Sequence, residues 1–138
     1  MRTFTAENSD NTPDSIPRLI DSILALQSDP PVEPGTPGYN RYPTQKDHWL
    51  GWLGHTPGTG SFERETPPNR GARYVYNHIG EPKMLLWLIE AAGVDAGVVE
   101  AAERASLQAR TLAGKCKAIR QLVPFSVVAG KLWSSSGV

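Results

Sequence analysis

Cysteine is almost absent from this 138-residue chain, in which Cys116 is the only one. A single cysteine excludes an internal disulfide and any metal cluster built from cysteines. Long hydrophobic runs are missing too, since no segment approaches the roughly 18 apolar residues that a membrane-spanning helix requires. The first residues lack the basic stretch and apolar run of a secretory signal. These absences favour a cytoplasmic protein that does not enter a membrane.

Recognisable catalytic motifs are also missing. No GxxxxGK[ST] phosphate-binding loop occurs in the sequence. His48 and His55 are seven residues apart, whereas zinc-binding helices place two histidines four apart, and His78 lies in another segment. Cys116 falls among regularly spaced apolar residues, a setting that favours an inert small hydrophobe over a nucleophile. We therefore predict a non-enzymatic protein without a metal or cofactor.

What the sequence does contain is helical periodicity. Apolar residues recur at intervals of three and four from residue 15 onward, and no strand-like alternation appears. Ser15 and Pro17 are typical of a helix start, and a first amphipathic helix is expected to end near Gln27. Further helices are expected over 44–54, 69–79, 82–93, 95–123 and 124–133. The predicted fold is all-α, a compact bundle of five to six helices.

Proline and glycine divide the chain. A linker rich in both is predicted over 29–43, after the first helix. We therefore divide the chain into a mobile tail (1–14), the amphipathic helix plus its linker (15–43), a helical domain (44–133) and a mobile tail (134–138). The linker allows the first helix either to pack away from its sequence neighbours or to act as a detachable arm.

The last third of the chain shows a heptad pattern, with apolar residues spaced alternately by four and three. Its positions are Val98, Ala102, Ala105, Ala109, Leu112, Cys116, Ile119 and Val123. This pattern predicts one long helix over 95–123. We expect the seam formed by Ala102, Ala105, Ala109, Leu112 and Cys116 to be an interface, either between two copies of the chain or against the first helix.

The richest polar cluster lies between residues 69 and 78. Its members are Arg70, Arg73, Tyr74, Asn77 and His78. All but the last fall on one side of the expected helix, where they are able to bind a phosphate or a carboxylate. Alternatively, these groups anchor the preceding loop through hydrogen bonds. A third interpretation, an enzyme using Arg73, Asn77 and His78, is the least supported.

Charge is distributed unevenly although the formal net charge is zero. Residues 1–34 carry a net charge of −4, and residues 104–138 carry +6 without an acidic residue. Arg110, Lys117 and Arg120 are expected to share the side of the long helix opposite the seam. This basic face suggests an alternative function, a small DNA- or RNA-binding regulator. The two oppositely charged ends of the chain are equally able to attract each other.

Two stretches of the sequence carry a family resemblance. These stretches resemble small helical proteins of phages and prophages. The first is Ala72-Arg73-Tyr74-Val75-Tyr76-Asn77-His78-Ile79, and the second is Pro82 with the run Met84-Leu85-Leu86-Trp87-Leu88-Ile89-Glu90-Ala91-Ala92-Gly93-Val94. The resemblance covers roughly residues 48–133. It implies an origin as a mobile-element accessory protein, and it supplies no activity and no catalytic residues.

The sequence thus predicts a protein that acts by protein–protein contact, with a host or phage protein as its partner. Phage accessory proteins of this size include inhibitors of bacterial immune systems, which makes an anti-CRISPR-like, anti-defence inhibitor or a regulator the expected function. Homodimer formation is a further expectation.

Overall fold

A computed structural model of the chain describes residues 15–36, 39–54, 73, 76–77 and 81–135. The helices are α1 (Ser15–Ala25), α2 (Gln45–Trp52), α3 (Pro82–Ala91), α4 (Ala96–Leu107), α5 (Leu112–Leu122) and α6 (Phe125–Ser135). Beyond these helices, the described ranges contain a single isolated β-bridge, between Pro31 and Thr44. The predicted all-α bundle is confirmed for this part of the chain.

Helix α1 is an integral part of the core. Its apolar stripe buries Leu19 and Ile23 completely, whereas Leu24, which belongs to the same sequence pattern, is half exposed. The helix packs mainly against α6. At this contact the guanidinium of Arg18 lies 4.5 Å from the ring centroid of Trp133, close enough for a cation–π interaction.

The segment between α1 and α2 is folded back on itself. Backbone hydrogen bonds join Gln45 N to Pro30 O (2.9 Å) and Val32 N to Pro43 O (2.8 Å), so the two ends of the loop lie side by side. Val32 is buried in the core. The two ends of the predicted linker are therefore joined to each other, and Val32 anchors the first of them in the core.

Helices α2 and α3 begin and end where local signals place them. Thr44 is the N-cap of α2, and its hydroxyl accepts a hydrogen bond from Asp47 N. Pro82 occupies the first position of α3. Gly93 ends α3 with a φ of +93°, and Val94 N donates to Ile89 O across the helix end (3.1 Å), as in a Schellman motif.

The prediction of one long helix over 95–123 is wrong. The chain forms α4 and α5, which are separated by a turn at residues 108–111 and pack against each other more extensively than any other pair of described helices. Thr111 is the N-cap of α5, and its hydroxyl accepts a hydrogen bond from Gly114 N (3.0 Å). Lys115 Nζ donates to Ser106 O (3.1 Å) and so satisfies a carbonyl in the last turn of α4. Caps on both sides of the turn stabilise the break.

An aromatic cluster joins the central helices. Tyr76 is fully buried, stacks on Trp49 with a centroid distance of 6.4 Å and contacts Phe125 at 5.2 Å. Its hydroxyl donates to Val123 O (2.8 Å) at the junction of α5 and α6. The aromatic cluster therefore holds the residue-76 region against the C-terminal helices.

Two predicted segments are described only in part. Most of the helix expected over 69–79 lies outside the described residues, and within it Arg73, Tyr76 and Asn77 have helical backbone. The C-terminal tail was predicted to begin at residue 134, but α6 continues to Ser135. The tail predicted over 1–14 lies outside the described residues.

Candidate functional site

The polar cluster predicted between residues 69 and 78 is only partly described. Arg73 is half-buried and Asn77 is exposed. Arg70, Tyr74 and His78 lie outside the described residues. Ligand binding or loop anchoring by this cluster therefore stays a prediction.

The predicted basic face is divided by the turn between α4 and α5. Arg110 lies in this turn, while Lys117 and Arg120 are on α5. Arg120 is half-buried, and its positive charge acts on the thiol of Cys116, a seam residue. It therefore flanks the buried side of α5 and does not lie opposite it. The three cations do not share one helix face as expected.

The predicted interface seam is not a continuous surface, because the turn interrupts it. Ala102 and Cys116 are fully buried within the chain's own core, whereas Leu112 is 53% exposed. Ala105 and Ala109 are intermediate in exposure. The heptad residues of α4 and α5 thus pack largely against this chain's own helices.

The buried titratable groups in this region are held in their neutral forms. Burial raises the pKa of the Cys116 thiol above its ordinary value, and the nearby charge of Arg120 opposes this only partly. Burial likewise raises the pKa of the Tyr76 phenol, and the charge of Arg120 again opposes this only partly. A neutral, buried thiol is a poor nucleophile, so Cys116 behaves as a core residue.

Histidine ligation has no support in the described part of the chain. His48 is buried and its ring packs edge-on against Tyr42 with a centroid distance of 6.3 Å. His55 lies outside the described residues. No group of three or more histidine, cysteine, aspartate or glutamate side chains within the described ranges is arranged to hold a metal ion.

The feature best suited to binding is a groove between α3 and the α4–α5 hairpin. It has a volume of about 300 Å³ and is partly open to solvent. Its apolar lining comes from Pro82, Leu86, Leu107 and Leu112. Leu107 is 70% exposed and Leu112 is 53% exposed, values that are high for side chains of this size. We refer to these four residues and the space between them as the leucine groove.

The α4–α5 turn creates this groove. Leu107 is the last residue of α4 and Leu112 is the first residue of α5. Because the chain reverses between them, the two leucines lie together at the same end of the hairpin and line the groove jointly. Leu86 reaches the groove from the middle of α3.

The rim of the leucine groove is charged. Three carboxylates (Glu33, Glu81, Glu103) and two ammonium groups (Lys83, Lys115) line it, which leaves one negative charge in excess. Lys83 forms an ion pair with Glu33, and Lys115 donates to a backbone carbonyl of α4. Both cations are therefore engaged within the chain.

A small cavity adjoins the groove near the N-termini of α2 and α3. Its volume is about 30 Å³. The cavity and the groove share three lining residues: Glu33, Glu81 and Lys83. The cavity is also lined by Gln45, Thr36 and Met84, which do not line the groove. Gln45 is 6% exposed, and its side-chain oxygen is buried without a hydrogen-bond partner. We call this space the inner cavity.

Sequence reasoning missed the residues of the leucine groove, with the exception of Leu112. Leu107 is absent from the heptad pattern, and Glu33, Lys83 and Leu107 come from three distant parts of the chain. A local signal for the turn was present, since threonine is one of the residues preferred at a helix N-cap. Recognition of that cap at Thr111 would have placed two leucines beside a chain reversal.

None of the helices in the described ranges is both long enough and apolar enough to cross a bilayer. No protein-family model matches the sequence, and no curated protein or solved structure is significantly similar to it.

Proposed function

We propose that this chain is a non-enzymatic protein-binding module whose leucine groove receives an apolar segment of a partner protein. The observation that carries the proposal is the pair of largely exposed leucines, Leu107 and Leu112, beside an open groove. Exposed apolar side chains grouped around a groove are typical of docking sites for partner segments.

The shape of the groove favours a protein segment over a small molecule. Small-molecule sites enclose most of their ligand in a concave pocket, whereas here Leu107 projects from the end of a helix with most of its surface exposed. An apolar partner side chain that covers Leu107 removes its surface from water. Full burial of a leucine is worth about 2 kcal/mol, which corresponds to roughly thirtyfold in affinity.

The sequence resemblance suggests which partners to examine first. Small phage-type proteins act on host or phage proteins, so an anti-defence inhibitor or a regulator in a bacterial cell is the function we propose for this module. The proposal requires neither a seam-mediated homodimer nor binding to nucleic acid.

Photo-cross-linking tests the use of the groove. A benzoylphenylalanine at position 107 is expected to form a specific adduct with a bacterial protein in lysate, and the same group at position 122 is not. Leu122 is a matched control, because it is 47% exposed and does not line the groove.

Substitution provides the second arm of the experiment. With benzoylphenylalanine kept at position 107, Leu112→Glu in the groove is expected to abolish recovery of the cross-linked protein, while Leu122→Glu leaves recovery unchanged. Equal loss with both variants, or cross-linking from position 122 alone, contradicts the proposal. An adduct of twice the chain's 15.0 kDa mass identifies a second copy as the occupant and contradicts a heterologous partner.

A further inference from the structure

The turn between α4 and α5 is built from residues that also suit a helix. Its sequence, Gln108-Ala109-Arg110-Thr111, includes neither glycine nor proline, and none of the four residues has a positive φ. Gln108 already lies in the right-handed helical region, whereas Thr111 is extended. Alanine, arginine and glutamine are among the residues that favour a helix most strongly. Few backbone rotations therefore separate this turn from a continuous helix.

The seam is covered at its two ends and open at its centre. Ala102 and Cys116 are fully buried. Ala105 and Ala109 are only partly covered, and Leu112 is 53% exposed. The open part of the seam is therefore the part at the turn. A helix that packs along the whole seam would cover it, and the two alanines allow that helix to approach closely.

Gly114 favours the hairpin over a continuous helix. A Cβ at this position would lie 3.1 Å from Thr111 Oγ1 and 3.2 Å from Ala109 Cβ, so the turn packs closely over the glycine. In the interior of a helix, by contrast, glycine is less favourable than alanine. The same residue thus fits the turn and weakens the alternative to it.

We infer that two copies of this chain exchange α5 and α6 by opening this turn. In the exchanged dimer, α4 and α5 of each copy form one helix over 96–122, and the two helices pack antiparallel, as α4 and α5 do in the hairpin. Each exchanged α5 and α6 takes in the other copy the place that it has in the single chain, so the α4–α5 and α1–α6 contacts are regained. The new contact joins the open seam residues Ala105, Ala109 and Leu112 of the two copies.

The exchange does not depend on the proposed function, but it changes the leucine groove. Leu107 and Leu112 lie together because the chain reverses between them. In a continuous helix these two leucines are separated by about 7.5 Å along the axis and by about 140° around it. Leu112 then lies between the two copies, while Leu107 points away from their contact. Only the monomer therefore presents the groove.

Two substitutions are expected to shift the equilibrium in opposite directions. Gly114→Ala should raise the association constant of the dimer at least about tenfold, because each dimer contains the substitution twice and the added Cβ crowds Thr111 in the hairpin. Leu112→Pro should keep the chain monomeric. Proline suits the first position of α5, and extended Thr111 (φ −106°, ψ 157°) has the conformation that a following proline requires. The interior of a continuous helix does not accept proline.

Size-exclusion chromatography with light scattering measures both states of the full chain after refolding from urea at high protein concentration. The monomer has a mass of 15.0 kDa, and the dimer has twice that mass. Gly130→Ala is the matched control, because it adds the same methyl group at an open position of α6 and is expected to leave the dimer fraction unchanged. An exchanged dimer separates only when α5 and α6 unfold, so the isolated dimer is expected to persist on dilution.

The double variant with Gly114→Ala and Leu112→Pro is expected to be monomeric. If Gly114→Ala does not fold, the wild-type protein provides the test, because its dimer fraction after refolding should disappear in Leu112→Pro. Absence of dimer from the folded proteins, equal dimer formation by Gly114→Ala and Gly130→Ala, a dimer that proline does not abolish, or one that dissociates at once on dilution overturns the inference. Capture of a lysate protein through position 107 of the monomer tests the docking function separately.

Discussion

Replacement of Tyr76 by phenylalanine removes one hydroxyl and keeps the aromatic ring. The ring contacts with Trp49 and Phe125 remain, so no large cavity forms. The lost group is the donor to Val123 O, at 2.8 Å in a fully buried setting. Because the carbonyl is then left without this donor, the free energy of unfolding is expected to fall by about 2 kcal/mol at pH 7, within the range for a buried unsatisfied acceptor.

The pH dependence of this difference provides an independent check. Burial raises the pKa of Tyr76 in the folded protein, whereas the unfolded chain releases the phenol proton near pH 10. Above pH 10 the unfolded state therefore binds fewer protons than the native state, and the free energy of unfolding falls as pH rises. The slope reaches about 1.4 kcal/mol per pH unit, and Tyr76→Phe lacks this contribution.

Urea denaturation of both proteins from pH 7 to pH 11 measures the effect. The stability gap of about 2 kcal/mol is expected to persist up to about pH 9 and to narrow to about 0.6 kcal/mol by pH 11. Cys116, whose pKa is also raised, is present in both proteins, so its contribution cancels in the difference. A gap below about 0.5 kcal/mol at pH 7, or a gap that does not change with pH, refutes the assignment of a buried, hydrogen-bonded phenol.

Three further predictions concern the packing and the capping of the helices, and chemical denaturation measures each of them. Gly51→Ala is expected to destabilise the protein by about 1–3 kcal/mol, because the added Cβ would lie 2.7 Å from the Tyr42 ring. The loss of stability should be smaller in a Tyr42→Ala background. An equal loss in that background contradicts the proposed clash. Thr111→Ala removes the N-cap of α5 and should cost about 1 kcal/mol, whereas no loss would argue against the cap. Leu19→Ala is expected to lower the free energy of unfolding by about 2–5 kcal/mol, because this leucine is fully buried. Leu24→Ala, at a half-exposed position, should change it by no more than about 0.5 kcal/mol. Similar small effects at both positions would show that α1 is a detachable arm.

The sequence predicts those helix boundaries that depend on local chemistry. Thr44, Pro82 and Gly93 each limit a helix through an effect that involves only nearby backbone: a hydroxyl that accepts from an N–H, a proline in the first turn and a glycine with positive φ. The amphipathic stripe of α1 is equally local, although it does not distinguish buried Ile23 from exposed Leu24.

The heptad pattern led to a wrong prediction of one long helix because periodicity does not specify which helix the seam packs against. A seam of small apolar residues is able to pack against a helix of another molecule or against a second helix that forms when the same chain reverses direction. Here the chain takes the second solution, and Ala102 and Cys116 become buried in one core. Thr111, whose hydroxyl caps α5 just after the chain reverses, lies within the pattern.

The candidate site was less predictable than the fold because it is assembled from separate segments. Glu33 lies in the loop after α1, Lys83 in the first turn of α3 and Leu107 at the end of α4. No spacing rule connects these positions. The residues of the polar cluster between 69 and 78 were a candidate site because they are adjacent in sequence. Adjacency in sequence is a different property from adjacency in space.

The turn at residues 108–111 explains both the failed seam and the candidate groove. A continuous helix would gain a few backbone hydrogen bonds, each worth about 1 kcal/mol, but it would carry Cys116, Ile119 and Val123 out of a core in which each is at most 1% exposed. Exposure of three such side chains costs roughly 5 kcal/mol or more. The hairpin is therefore the stable form of a single chain. It also places Leu107 and Leu112 together at the turn end of the hairpin, where both are more than half exposed.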